Sequence, residues 1–277
     1  MTEPADARRG TPTILGARYD ASSSFLRGPA DAPAAIRREL RSDSSNMWSE
    51  QLFDVGAEGA FADDGDISLG DYPRDAIEEA VSSVLDRGDR PLVLGGDHSI
   101  TYPILRAVRR HHTPLTILHL DAHSDLYDSY EGDRYSHACP FARIMEEGLC
   151  DQLVQVGVRT LTGHQREQAD RFGVDVLDMR RWVAGERYVL RHPVYISLDM
   201  DVLDPGFAPG VSHRESGGMS PREVLGILHA VDQPLVGADV VEYNPRRDLE
   251  DVTAPACAKF VKELIAGMHL HPVVAGR

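Results

Sequence analysis

Apolar positions along the chain fall into short continuous runs separated by helical patterns. TPTILGARYD reads as a first strand, followed by a polar loop and the helical DAPAAIRREL. Four helix-to-strand pairs come next: DAIEEAVSSVLDRG with PLVLGG, ITYPILRAVRRHH with LTILHLD, FARIMEEG with QLVQVGVRT, and HQREQADRFG with VDVLDM. PVYISLDMD is a further strand, PREVLGILHAV precedes PLVGADVVE, and ACAKFVKELIAGM closes the pattern as a helix. Several strands are unbroken Val/Ile/Leu runs, as expected when both faces are buried. Such alternation predicts a mainly parallel sheet between helical layers, one three-layer α/β/α domain. No internal repeat, low-complexity segment or linker divides residues 1–277.

A chain of 277 residues can bury a large core. A hydrophobic share of 42% with 26% charged residues excludes the disordered class. The formal charge of −15 argues against nucleic acid or an anionic membrane as partner and suits a small cation. Cys139, Cys150 and Cys257 are widely spaced without a CxxC pair, which fits a reducing compartment. The opening MTEPADARRG has no signal-peptide core, and no stretch approaches the roughly 18 apolar residues that span a bilayer. The expectation is a cytoplasmic protein with residues 1–10 as a flexible tail.

In open parallel sheets, ligands sit beyond the carboxyl ends of the strands. After PLVLGG comes Asp97-His98-Ser99; after LTILHL, Asp121-Ala122-His123-Ser124-Asp125; after PVYISL, Asp199-Met200-Asp201; after PLVGADVV, Glu242. On extended backbone, residues i and i+2 point to one side, so Asp121, His123 and Asp125 can converge, as can Asp199 and Asp201. With His98 these supply four carboxylates and two imidazoles, enough for two divalent ions. Such an oxygen-rich set favours Mn(II) over zinc. Paired ions lower the pKa of water and generate hydroxide near neutral pH. Four carboxylates already neutralise two divalent ions, so the site attracts a guanidinium more than a phosphate ester. Glu242 can grip that guanidinium with paired charge-assisted hydrogen bonds.

GGDHS, DAHSD, SLDMDVLDP and VVEYNP resemble, in order, the four signature blocks of the arginase/agmatinase (ureohydrolase) family. The similarity runs from about residue 11 to the last helix. It implies a parallel eight-stranded sheet, two Mn(II) ions and a homo-oligomer, trimeric or hexameric. By resemblance one ion takes His98, Asp121, Asp125 and Asp199, and the other takes Asp121, His123, Asp199 and Asp201. His137 in YSHACPF matches the family's proton-shuttling histidine, and Glu242 its guanidinium-binding glutamate. The implied reaction is hydrolysis of a guanidino compound to urea and an amine, with Asp125 accepting a hydrogen bond from the attacking hydroxide. Ala138 stands where agmatinases and animal arginases usually have glycine.

The substrate is read from three positions. Tyr127 resembles the agmatinase residue at its place. Thr162 stands where animal arginases carry an aspartate for the α-amino group. Both favour agmatine as the first expectation. L-arginine comes second, because YSHACPFARIMEEG and GFAPGVSHRESGGMS are similar to plant arginases and His213 can approach a substrate carboxylate. Another ω-guanidino acid stands third. A formimino-group hydrolase shares the metal blocks, but His137 and Glu242 speak against it; a non-catalytic metal-binding protein is the remaining rival. His111 and His112 read as helix-end residues, Cys139 as a small buried one, and His269 and His271 as part of a short tail.

Overall fold

In the computed structural model, which describes residues 10–273, eight strands form one parallel sheet. They are β1 (Pro12–Gly16), β2 (Ala62–Asp66), β3 (Arg90–Leu94), β4 (Thr116–Leu120), β5 (Gln152–Val156), β6 (Asp175–Leu177), β7 (Val194–Asp199) and β8 (Leu235–Val241). Their spatial order is β2-β1-β3-β8-β7-β4-β5-β6. Strand residues alternate between two apolar clusters, the signature of a sheet buried on both faces. Ile14, Leu92, Leu118 and Ile196 face one helical layer, made of α1 (Ala32–Leu40), α7 (Pro221–His229) and α8 (Thr253–Leu270). Leu15, Val93, Ile117 and Tyr195 face the other, made of α2 (Pro73–Asp86), α3 (Thr101–His111), α4 (Pro140–Glu146) and α5 (Gly163–Phe172). The expected three-layer domain is what forms.

Two elements lie outside the apolar pattern. Strand β2, with sequence ADDGD, has no hydrophobic signal because it is the sheet edge and its residues are partly exposed. It pairs in parallel with β1 through its backbone, and ionic contacts tie its outer face to α1. Arg37 of α1 donates through Nε to Asp63 at 3.1 Å and through Nη2 to the Gly65 carbonyl at 2.9 Å, and it also pairs with Asp66. The five-residue α6 (Met179–Val183) is started by Asp178, whose carboxylate accepts the Arg181 N–H at 3.0 Å.

The C-terminal histidines do not form a tail. His269 lies within α8, stacks on Phe53 at 4.6 Å and meets the Ala60 carbonyl at 2.7 Å through Nε2, and His271 follows as the residue that ends the helix. Residues 1–9 of the expected flexible tail lie outside the described residues. Among the described residues, no helix is long and apolar enough to cross a membrane.

Arg37→Met removes the most buried ionic partner of β2 while keeping most of the side-chain volume, and leaves Arg41 on Asp63 and Arg87 on Asp64. Amide exchange across residues 62–66 is expected to speed up, while β4 and β7 keep their protection. Equal loss of protection in all three strands, read by exchange mass spectrometry, would contradict an ionic anchor confined to the edge.

Candidate metal centre

Strands β3, β8, β7 and β4 are consecutive neighbours in the middle of the sheet, and the expected site residues follow their carboxyl ends. Convergence does not come from extended backbone, which corrects the i, i+2 reasoning. Beyond β4 the chain bends, and Asp125 adopts φ 49°. Beyond β7 it turns into a 3-10 turn at Met200–Val202, where Asp199 Oδ1 accepts the Asp201 N–H at 2.7 Å. Glu242 also takes a left-handed conformation, φ 62°. Such backbone costs a non-glycine residue about 1–3 kcal/mol, so the surrounding structure must hold both side chains in place.

The six expected ligand residues meet at the strand ends. His98 Nδ1 lies 3.1 Å from one carboxylate oxygen each of Asp121, Asp125 and Asp199. His123 Nδ1 lies 3.0 Å from Asp201 and 3.4 Å from the other oxygen of Asp121. The four aspartates are buried, and His98 is fully so. Burial favours neutral rings, yet the carboxylates draw protons onto His98 and His123 and hold both well above the ordinary imidazole range. Burial, together with Asp201 and Asp121, drives Asp199 well above the usual carboxylate range. Divalent cations relieve that repulsion with the same atoms, and the groups around Asp121 are able to hold them.

The histidine geometry makes the fit specific. His98 Nε2 meets Ser197 Oγ at 2.9 Å, and Ser197 in turn donates to Asp239 at 2.8 Å. The Ser197 lone pair therefore takes the His98 Nε2–H, which leaves Nδ1, with no hydrogen-bond partner of its own, as the nitrogen that takes a proton or a cation. A buried nitrogen lone pair facing three carboxylate oxygens is stable only with a cation or a proton between them.

A polar row that the apolar pattern concealed supports these ligands. Asp239, Ser197, His119 and Gln155 stand at matched register on β8, β7, β4 and β5. All four are fully buried. Gln155 Nε2 donates to His119 Nδ1 at 3.0 Å and to the Ser124 carbonyl at 2.6 Å, so His119 Nε2–H is the donor to Asp121 Oδ2 at 2.7 Å. Phe141 stacks on the His119 ring at 3.8 Å. With both ring nitrogens engaged, His119 braces a carboxylate. The signal was present in the sequence: a polar residue inside an apolar strand, two places before the strand-end aspartate in TILHLD and YISLD.

His137 and Glu242 form one unit. His137 Nδ1 lies 2.8 Å from Glu242 Oε1, which also accepts the His98 backbone N–H at 2.9 Å. Burial alone would lower the His137 pKa, but the Glu242 carboxylate overrides it and raises the group to about 9. The same pairing holds Glu242 below its ordinary value despite burial. On the other side of the ring, Nε2 meets Ser24 Oγ at 2.8 Å and the Ser24 N–H at 3.2 Å. The loop bearing Ser24 is fixed by buried Asp97, which accepts the Ser22 N–H at 2.9 Å and is raised to about 6 by burial and by Glu242. Sequence reasoning passed over this loop, since ASSSF reads only as a polar connection.

A cavity of about 250 Å³ opens above these groups. Tyr127, Thr162 and His213, the expected substrate contacts, all line it. The Thr162 hydroxyl is committed to a capping box with Gln165 that starts α5. His213 sits 5.2 Å from the His137 ring and 5.9 Å from the His123 ring, and burial, reinforced by His137, lowers its pKa. Ser24 and Glu215 line the cavity as well.

Residues 11–267 match the profile of the arginase family. "Arginase 2, chloroplastic/mitochondrial" of Arabidopsis thaliana is 46% identical over 94% of this chain and 81% of its own. The agmatinase of Bacillus anthracis is 36% identical over 92% of this chain and 90% of its own. Among solved structures, the arginase from Medicago truncatula superposes with a TM-score of 0.89 at 42% identity, covering 94% of this chain and 88% of that one.

Ser197→Ala leaves the His98 Nε2–H without its acceptor and lets the ring turn. Affinity for divalent manganese, measured by equilibrium dialysis, is expected to fall at least tenfold, about the range seen for outer partners of ligating histidines. Unaltered affinity would mean that the ring is oriented by packing alone.

Proposed function

The chain belongs to the arginase family and is a hydrolase of guanidino carbon–nitrogen bonds, and on that premise we propose that it converts L-arginine to ornithine and urea with two Mn(II) ions. The greater identity to a plant arginase than to a bacterial agmatinase carries this reading. It reverses the order expected from Tyr127 and Thr162. Thr162 serves as a helix cap, so the want of a carboxylate there leaves other wall residues to read the amino-acid end. Agmatine is the second reading. Among the described residues, no Lys or Arg lines the cavity to meet an α-carboxylate, which favours a substrate with a purely cationic tail.

We assign His98, Asp121, Asp125 and Asp199 to one ion and Asp121, His123, Asp199 and Asp201 to the other. When bound, the pair acidifies water and supplies the nucleophile near neutral pH. Glu242 Oε1 is already occupied by the His98 N–H and His137. That leaves Oε2 for the guanidinium, a grip through one oxygen in place of the paired grip expected from sequence. Asp125, whose left-handed backbone aims its carboxylate toward His98, accepts a proton from the nucleophile. His137 holds the proton that the leaving nitrogen needs, and the Glu242 carboxylate keeps that proton in place.

Urea release from the Mn(II)-loaded protein tests the reading, with L-arginine and agmatine compared by kcat/KM. A preference for L-arginine is expected; a preference for agmatine would select the second reading, and urea from neither would remove both.

The His137 assignment predicts a pH dependence. The acid form is the competent one, so kcat should hold below about 9 and fall as pH rises through that value, where the proton is lost. In His137→Asn the limb should vanish and kcat should drop by about 10²-fold or more, with metal content retained. An unmoved alkaline limb in that variant would reassign the proton to another group.

A further inference from the structure

A guanidinium held at Glu242 leaves the rest of its substrate to run out along the cavity wall, where one carboxylate has no partner. Among the lining residues, Asp125, Asp199, Asp201 and Glu242 all face a histidine ring at the floor. The fifth, Glu215, is half-buried, and its carboxylate makes no hydrogen bond or ion pair among the described residues.

The backbone that carries it is fixed. The Glu215 carbonyl accepts Arg159 Nε at 3.1 Å and Nη2 at 2.7 Å, and the same Nη2 donates to the Asp201 carbonyl at 2.7 Å. One guanidinium thus sets the separation between a floor residue and the outer wall. Asp204 accepts the N–H groups of Gly217 at 2.7 Å and Gly218 at 3.2 Å. Gly217 takes φ 85°, and a Cβ on Gly218 would lie 2.6 Å from the Asp204 nitrogen, so the turn after Glu215 requires both glycines.

We propose that Glu215 is the specificity residue that binds the ammonium group at the far end of the substrate's aliphatic chain. The assignment rests on the guanidino-hydrolase reading. It covers both the α-ammonium of arginine and the terminal ammonium of agmatine, which share this chemistry. The other wall residues, such as Thr160, Thr162, Gln165 and His213, are uncharged donors and acceptors or a ring whose charge is disfavoured by burial. An ω-guanidino acid without an ammonium would bring its carboxylate toward Glu215 and find no cation on the wall to offset the repulsion.

The test uses the Mn(II)-loaded full chain and four substrates: L-arginine, agmatine, 4-guanidinobutanoate and n-pentylguanidine, in which a methyl group replaces the agmatine ammonium. In Glu215→Gln, the preference for agmatine over n-pentylguanidine, taken as the ratio of kcat/KM values, should fall about tenfold or more, as should that for L-arginine over n-pentylguanidine. The loss should appear chiefly in KM of the ammonium-bearing substrates. Glu215→Lys should turn the preference toward 4-guanidinobutanoate, a gain that a merely misfolded wall would not give. If Glu215→Gln keeps the wild-type preferences while releasing urea, this assignment falls and the hydrolase reading stands. If the wild-type protein releases urea from none of the four, both fall.

Discussion

Four aspartates brought together in the protein interior repel one another, and most of what surrounds them follows from that repulsion. Asp121, Asp125, Asp199 and Asp201 are buried at the ends of two adjacent strands, where the dielectric screening of water is reduced. The protein holds them with directed donors. His119 braces Asp121 and backbone N–H groups brace Asp121, Asp199 and Asp201, while His98 and His123 present ring nitrogens to the carboxylate oxygens. The Asp239–Ser197–His119–Gln155 row runs across four strands at one register, so the support is built into the sheet and not into loops. Pre-orientation of this kind lets metal ligands keep their geometry whether or not substrate is present.

The reactive pair above the aspartates works by shared charge. Against burial, His137 lowers the pKa of Glu242 and Glu242 raises that of His137 through their shared contact, so one carboxylate both holds the shuttle proton and faces the guanidinium. Ser24, delivered by the loop after β1, meets the opposite nitrogen of the same ring. The strand on the far side of β3 therefore contributes to chemistry at the centre of the sheet. The buried Asp97 that anchors this loop sits one residue before His98 and ties the shuttle's support to the ligand shell.

The sequence was most legible where burial imposes a pattern. Seven strands announced themselves as apolar runs because both sheet faces are covered, and the ligand types stood out as ionisable groups at the ends of those runs. β2 escaped because an edge strand held by Arg37 has no need of apolar residues. The convergence of the ligands was anticipated, but its cause was misjudged: a 3-10 turn and left-handed backbone at Asp125 do what extended backbone was expected to do. The supporting row was harder to see, since a lone His, Ser, Asp or Gln inside a strand carries no periodic signal. Only register across strands, which is a property of the fold, aligns them. Ser24 and Glu215 were hidden for a related reason, because loops of small and polar residues reveal their targets only once the chain is closed.

The strand order has a consequence for how the molecule comes into being. β8 is the last strand in the chain but lies in the middle of the sheet, between β3 and β7. Without it, the strand order would divide into two fragments, β2-β1-β3 and β7-β4-β5-β6, each with a raw edge of unsatisfied backbone groups. His98 belongs to the first fragment and Asp121 and Asp199 to the second. About nine-tenths of the protein must therefore be synthesised before the strand that joins the two halves of the site is available.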